Sequence, residues 1–142
     1  MAELAPGDTL GVLTLMRRTI NETNTAAMAA ERRDSTMLPE GYREPRRLTL
    51  WVANDVPVKL IATEPNDAGL MTGETIVWFV NGEIRAVQEP FDLLYFEVDR
   101  LALWTDEAMV PVTIPEADRM AKERAVIDSV KARLATFRIP YP

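Results

Sequence analysis

The sequence predicts an α+β protein: a mainly antiparallel sheet of four to six strands, built from two hairpins, with an N-terminal and a C-terminal helix packed on it. Two hairpin signatures in the middle of the chain and a helical pattern near each end lead to this prediction. The chain has 142 residues, of which 47% are hydrophobic, and this length is typical of one domain. We therefore expect a single folded domain over residues 1–142.

Apolar residues near the N-terminus recur at helical spacing, which predicts a helix over residues 9–33. The residues of its apolar stripe are Leu13, Met16, Ile20, Ala27 and Ala30. A break in this helix at the polar residues 21–25 is one alternative, and a first strand over residues 9–16 is another.

Residues 34–45 are rich in turn formers and follow neither the helical nor the strand period. They predict a long loop that connects the N-terminal helix to the sheet. Loops of this length are often functional, and this one contains the apolar pair Met37 and Leu38. We expect this pair either to fold back on the domain or to contact a partner.

The first hairpin is predicted around Asn54-Asp55, a pair suited to a two-residue turn. Residues 48–53 and 56–61 on either side have the composition of strands. Pro57 lacks a backbone N–H donor, so we expect the second strand to lie at a sheet edge or to begin after this proline.

The second hairpin is the strongest local signal in the chain. Asn81-Gly82 separates the β-rich residues 75–80 and 83–88, and Asn-Gly readily adopts the two positive φ angles of a type I′ turn. Such a turn fixes the cross-strand register. The pairs predicted on the core side are Phe79 with Ile84 and Val77 with Ala86. The pairs predicted on the other side are Val80 with Glu83, Trp78 with Arg85 and Ile76 with Val87.

Further strands are predicted after the second hairpin. Acidic and apolar residues alternate over positions 95–99, which predicts a strand that ends near Arg100 with Phe96 and Val98 directed inward. Two more candidates for strand structure are residues 101–104, past a bulge, and residues 109–114, which contain Pro111.

The clearest helix of the sequence is predicted to begin at a capping box in residues 113–116. Its apolar stripe comprises Met120, Ile127, Val130, Leu134 and Phe137. On the opposite side, Asp118 and Lys122 are spaced to form an i,i+4 ion pair. Two prolines in residues 138–142 predict an extended tail.

The chain contains no histidine and no cysteine, the residues that most often act as bases, nucleophiles or soft metal ligands near neutral pH. A Ser-His-Asp triad, a cysteine nucleophile, a thiol redox motif, a disulfide and a zinc site of the usual kind are therefore excluded. We expect no cofactor and no metal site, and a non-catalytic role.

The 16 Lys and Arg residues are outnumbered by 22 Asp and Glu residues, which gives a formal net charge of −6. Nucleic-acid-binding domains are typically basic, so we expect no nucleic-acid partner. The first sixteen residues carry no Lys or Arg, and no apolar run approaches the roughly 20 residues that span a bilayer. We therefore expect a soluble cytoplasmic protein without membrane contact, either free or incorporated in a larger particle.

Trp78 and Arg85 are the first candidates for a binding surface, because the predicted register places the guanidinium against the indole. We expect Trp51 of the first hairpin to extend the same face. The alternative is that this side of the sheet packs against the N-terminal helix.

Two further groups of residues are candidates for binding ions. Arg46, Arg47 or Arg85 is a candidate to clamp an anionic group near the aromatic face, because guanidinium groups bind such groups bidentately. Glu97 and Asp99 are candidates for a Mg²⁺ or Mn²⁺ site or an acid–base pair. Salt bridges within the chain and a solvated strand face are the structural alternatives.

These observations favour a non-catalytic protein-interaction or assembly protein, an accessory, inhibitory or structural subunit of a larger complex or virion that binds a protein partner or a second copy. The catalytic repertoire is depleted, while Arg, Trp and apolar strand residues remain to build interfaces. A small anionic-ligand binding domain is the alternative, and a carboxylate enzyme dependent on Mg²⁺ is the third hypothesis. The predicted binding residues are Trp51, Trp78, Arg85, Arg46 and Arg47.

Overall fold

The computed structural model describes residues 6–38 and 41–141, in which two helices flank seven strands. The helices are α1 (Pro6–Met28) and α2 (Glu116–Ala135). The strands are β1 (Glu31–Met37), β2 (Arg46–Ala53), β3 (Val56–Pro65), β4 (Met71–Val80), β5 (Glu83–Gln88), β6 (Asp92–Glu97) and β7 (Arg100–Asp106). All seven form one antiparallel sheet in which each strand pairs with the next along the chain.

The predicted class is confirmed, since two helices accompany a single antiparallel sheet, but the predicted count of four to six strands is wrong. The unpredicted strand is β1, whose charged sequence lacks the apolar alternation typical of strands. Main-chain pairing with β2 makes it a strand. Helix α1 therefore ends at Met28 instead of Arg33. Because β1 extends to Met37, the loop before β2 is shorter than the predicted residues 34–45.

A tight turn at Val98-Asp99 separates β6 from β7. Both residues have positive φ angles, 47° and 60°, and Val98 is 78% exposed instead of directed inward. After β7, the strand predicted over residues 109–114 is reduced to one bridge between Thr105 and Pro111.

Both predicted two-residue hairpin turns are present. Asn54, Asp55, Asn81 and Gly82 have φ angles of 53°, 62°, 54° and 80°, in the left-handed region that a type I′ turn requires. These turns connect β2 to β3 and β4 to β5.

The register of β4 and β5 follows the prediction only next to the turn, where Phe79 pairs with Ile84. A bulge after Trp78 then shifts the register by one residue, so that Trp78 pairs with Ala86 and not with Arg85. The same shift makes two other predicted pairs wrong, Val77 with Ala86 and Ile76 with Val87. Bulges redirect side chains, and this one separates Trp78 from Arg85.

The two helices pack on opposite faces of the sheet. Helix α2 contacts a core to which β2 through β7 contribute, including Leu50, Leu60, Phe79, Ile84, Leu94, Phe96 and Leu101. Helix α1 contacts a smaller core that extends only from β4 to β7 and contains Met16, Trp78, Ala86, Leu93, Tyr95 and Leu103. On the α1 side, no described residue of β1, β2 or β3 belongs to this core. Helix α1 packs over part of β3 but leaves the α1 side of β1 and β2 open.

Helix α2 buries Val130 and Leu134 of the predicted stripe, together with Val126. Met120 is 53% exposed and lies outside the core. The predicted capping box is not formed: the N-cap residue is Pro115, and no side chain in the described part of the protein caps the helix.

The C-terminal tail is anchored to the sheet. The hydroxyl of Tyr141 accepts a hydrogen bond from the backbone N–H of Ile84 at 3.0 Å and donates one to Asp99 Oδ1 at 2.6 Å. Burial and the Asp99 carboxylate raise the pKa of Tyr141. Since Ile139 is also buried in the α2 core, the tail is part of the packed structure.

Replacement of glycine by alanine is expected to destabilise the protein at one position and to stabilise it at another. Gly82 has a φ of 80°, and an added Cβ would lie 3.2 Å from Val56 Cγ1, so Gly82→Ala is expected to lower the free energy of unfolding by about 1–2 kcal/mol. Gly11 lies inside α1 with open space at the Cβ position, so Gly11→Ala is expected to raise it by about 0.5–1 kcal/mol. Urea unfolding measures both, and a stabilised Gly82→Ala variant would contradict the turn geometry.

Candidate functional site

The open part of the sheet on the α1 side forms a groove with a volume of 720 Å³. Side chains at alternate positions of β1 and β2 point to this side, as the pleat of a sheet requires. The main residues that line it are Arg32, Asp34, Thr36, Arg47, Thr49 and Trp51. We call this surface the open groove.

Trp51 is half-buried in the open groove, with a cation on each neighbouring strand. Arg32 is its partner on β1, and Lys59 is its partner on β3. The Arg32 guanidinium carbon lies 5.9 Å from the centroid of the Trp51 ring, and Lys59 Nζ lies 5.3 Å from it. Both contacts have cation–π geometry. They hold the indole in place while part of it remains accessible.

Arg47 is a cation of the open groove that no described residue neutralises. Asp34 is already occupied, because its Oδ1 accepts hydrogen bonds from Arg32 at 3.3 Å and from Thr49 at 3.0 Å. The side chain of Arg47 is exposed and forms no ion pair with any residue that the structure describes. An arginine in this state can bind an external anion without breaking a salt bridge.

Lys59 borders the open groove on β3. Burial lowers the pKa of Lys59, and the nearby carboxylate of Glu74 opposes this effect. Among the described residues, the lining of the groove contains two cations, Arg32 and Arg47, and two acids, Asp34 and Glu74. Lys59, beside Trp51 at the border, adds a third cation. The summed side-chain charge of the groove and its border is therefore positive, although the formal net charge of the whole chain is −6.

Trp78 lies on the same face of the sheet but under α1, where it is 3% exposed. Its Nε1 donates a hydrogen bond to Asn24 Oδ1 at 2.8 Å, and its ring packs in the core that contains Met16. The predicted pairing of Trp78 with Arg85 is therefore wrong, and Trp78 is buried. The alternative, packing of this side against the N-terminal helix, is confirmed for Trp78.

Arg85 is half-buried beside the bulge of β4 and β5. Its Nε is buried and has no hydrogen-bond partner among the described residues. Of the five predicted binding residues, the structure brings only Trp51 and Arg47 together in the open groove. Trp78 and Arg85 lie elsewhere on the sheet, and Arg46 takes part in a network on the α2 side.

Arg46 forms hydrogen bonds within the chain. Its Nη2 donates to Glu64 Oε1 at 2.9 Å, and its Nε donates to the carbonyl oxygen of Thr63 at 3.0 Å. Arg133 of α2 donates to Glu64 Oε2 at 3.1 Å, and Thr75 Oγ1 donates to the same atom at 2.5 Å. Burial lowers the pKa of Arg133. One carboxylate therefore holds two arginines of different elements.

A second charged cluster joins α2 to the loop between β5 and β6. Lys122 Nζ lies 2.6 Å from Glu89 Oε1 and 3.5 Å from Asp92 Oδ2, and 5.0 Å from the centroid of the Trp104 ring. Burial opposes the charged form of Lys122, but the two carboxylates outweigh it and raise the pKa of Lys122. These sheet acids, and not Asp118, are the partners of Lys122 in the described structure.

Glu97 and Asp99 do not form the predicted pair on one strand face. Strand β6 ends at Glu97, and Asp99 belongs to the following turn, where it binds Tyr141. In residues 6–38 and 41–141, no group of three or more acidic side chains is arranged to hold a metal ion. The carboxylate cluster predicted from the sequence is therefore not assembled in the described part of the chain.

Comparison with protein-family models, curated proteins and solved structures finds no match for this chain. Neither described helix is both long enough and apolar enough to span a membrane. The functional proposal therefore rests on the side-chain geometry of the open groove.

The contribution of the buried Glu64 ion pairs to stability can be tested by substitution. Glu64→Gln removes the one carboxylate shared by Arg46 and Arg133, whose side chains are 15% and 9% exposed. The variant is expected to lower the free energy of unfolding by roughly 3 kcal/mol, because two buried cations lose their counter-ion. Asp34→Asn is the control, since its ion pair with Arg32 is exposed and its loss is expected to cost less than about 1 kcal/mol. Equal effects in urea unfolding would contradict the buried network.

Proposed function

We propose that this chain is a non-catalytic interaction protein that binds an acidic segment of a partner protein in the open groove. The observation that carries the proposal is Arg47, exposed and without an acidic partner among the described residues, in the same groove as Trp51. Arg and Trp are enriched among the residues that dominate binding energy at protein interfaces. Arg32 and Lys59 already order the Trp51 ring, which reduces the entropy lost on binding.

The charge of the open groove indicates the chemistry of the partner. The groove and its border carry three cations and two acids, whereas the whole chain has a formal net charge of −6. An acidic segment is therefore attracted to this face and repelled by much of the remaining surface. The guanidinium of Arg47 can then bind a carboxylate bidentately.

A second copy of the chain fits the open groove less well than an acidic partner. In a symmetric dimer the same patch faces itself, so the groove of one copy would meet the cationic groove of the other. Both copies also carry a formal net charge of −6. Like charges across an interface disfavour association.

The edge of the sheet adds a main-chain component to this surface. Within the described residues, β1 pairs with β2 alone, so the N–H and C=O groups on its other side are open to an added strand. An extended segment paired with β1 would place alternate side chains beside Arg32 and Thr36. The charged residues of β1 disfavour an apolar strand and favour a charged one.

Peptides selected from a random library for binding to the full chain are expected to be rich in Asp and Glu. Arg47→Glu is expected to weaken the binding of such a peptide at least about tenfold, equivalent to about 1.4 kcal/mol, because it replaces an attractive charge with a repulsive one. Trp51→Ala is expected to cause a loss of similar size, since it removes the aromatic contact surface. Isothermal titration calorimetry measures both dissociation constants.

Arg18→Glu is the matched control, because it makes the same charge change at an exposed position of α1. It is expected to change the affinity less than about threefold. Equal weakening by Arg18→Glu, or selected peptides without acidic residues, would contradict the proposal. Light scattering tests the other occupant. If the unchanged chain is a dimer and the Arg47→Glu variant is a monomer, a second copy of the chain occupies the groove instead.

A further inference from the structure

A separate cavity of 220 Å³ lies between α2 and the sheet, on the face opposite the open groove. Part of its wall is apolar and is formed by Val77 and Val87 of the sheet and Val126 and Val130 of α2. The charged and polar side chains that line the rest include Glu64, Thr75, Glu89, Lys122, Ser129 and Arg133. We call this space the inner cavity.

At one end of the inner cavity, the lining residues Glu64 and Arg133 belong to a cluster that has an excess of positive charge because Arg46, outside the lining, also binds Glu64. Arg46 and Arg133 share the carboxylate of Glu64, which already accepts hydrogen bonds from three side chains. The side chain of Arg133 is 9% exposed, and within the described structure only its Nη2 has a hydrogen-bond partner. A guanidinium has five N–H donors, so the Nε and Nη1 groups of Arg133 remain for a ligand in the cavity that it lines.

At the other end, the lining residues Glu89 and Lys122 belong to a cluster that has an excess of negative charge because Asp92, outside the lining, also faces Lys122. The ammonium of Lys122 faces two carboxylates, those of Glu89 and Asp92. The side chains of Lys122 and Glu89 are 24% and 23% exposed, so this end opens to solvent. A cationic group that enters the cavity therefore meets a carboxylate at its mouth.

We propose that the inner cavity binds a small zwitterion, with the carboxylate at Arg133 and the ammonium at Glu89. The ligand carboxylate offsets the excess positive charge of the cluster around Glu64. The ligand ammonium offsets the excess negative charge of the cluster around Lys122. The four valines contact the aliphatic part between the two charges. A ligand with a single charge would leave one end of the cavity uncompensated.

The spacing of the two ends favours a linear ligand. Glu64 lies near the end of β3 and Glu89 directly follows β5, and these strands are separated only by β4. Strands two positions apart in a sheet are roughly 9.6 Å apart. An α-amino acid carries its charges on neighbouring carbons, whereas an ω-amino acid of about four to six carbons separates them enough to reach side chains at both ends. The ligand class is therefore a short ω-amino acid.

Isothermal titration calorimetry of the full chain with straight-chain ω-amino acids of about two to eight carbons tests this proposal. The affinity is expected to be highest at about four to six carbons, with a dissociation constant of about 1 mM or lower. Hexanoate and hexylamine, which each lack one charge, are expected to bind at least about tenfold more weakly than 6-aminohexanoate. The absence of measurable binding, an affinity independent of chain length, or equal binding of hexanoate would overturn the proposal.

Variants locate the binding in the inner cavity. Ser129→Leu fills the cavity from α2 and is expected to weaken binding at least about tenfold while circular dichroism shows a folded chain. If Ser129→Leu does not fold, Ala125→Leu replaces it, because Ala125 lines the same cavity at a more exposed position. It is also expected to weaken binding. Trp51→Ala alters the open groove and is expected to leave ω-amino acid binding unchanged. Unweakened binding in the folded leucine variants, or methyl NMR shifts outside Val77, Val87, Val126 and Val130, would overturn the proposal.

Discussion

Unequal covering of the two faces of the sheet is the constraint on which the rest of the structure depends. The core under α2 extends from β2 to β7, whereas the core under α1 extends only from β4 to β7. An antiparallel sheet can expose one face to water if that face is polar. Strand β2 meets this condition because Arg47, Thr49 and Trp51 alternate with the buried residues Leu48, Leu50 and Val52. The open groove exists because α1 packs over β3, β4 and β5 and leaves the same face of β1 and β2 uncovered.

The α2 side is held by charged groups as well as by apolar packing. The Glu64 and Lys122 clusters connect α2 to two neighbouring parts of the sheet, and their side chains are at most 26% exposed. Ion pairs in such positions must be compensated locally, because desolvation of each charge is costly. Taken together, the two clusters contain three cations and three acids, but each cluster alone is unbalanced. This separation of charge gives the inner cavity its polar ends.

Local signals determine how much could be predicted from the sequence. Apolar periodicity and turn residues act over a few positions, so both helices, both hairpins and the β2 residues Arg47 and Trp51 could be identified. Strand β1 could not, because it is defined by pairing with β2 and its side chains are charged. The bulge that directs Trp78 under α1 breaks a register that the turn alone predicts to be regular. The contact of Glu64 with Arg133 joins residues 69 positions apart, and no sequence pattern marks it.

An acidic segment bound in the open groove would change the environment of the strands that form this groove. The most direct measurement is a backbone amide NMR spectrum of the full chain with and without a bound acidic peptide. We expect the shifted resonances to belong to β1, β2, β3 and the Trp51 indole, because these groups border the open groove. Shifts concentrated in α2 or in β6 and β7, with β1 and the Trp51 indole unchanged, would contradict binding in this groove.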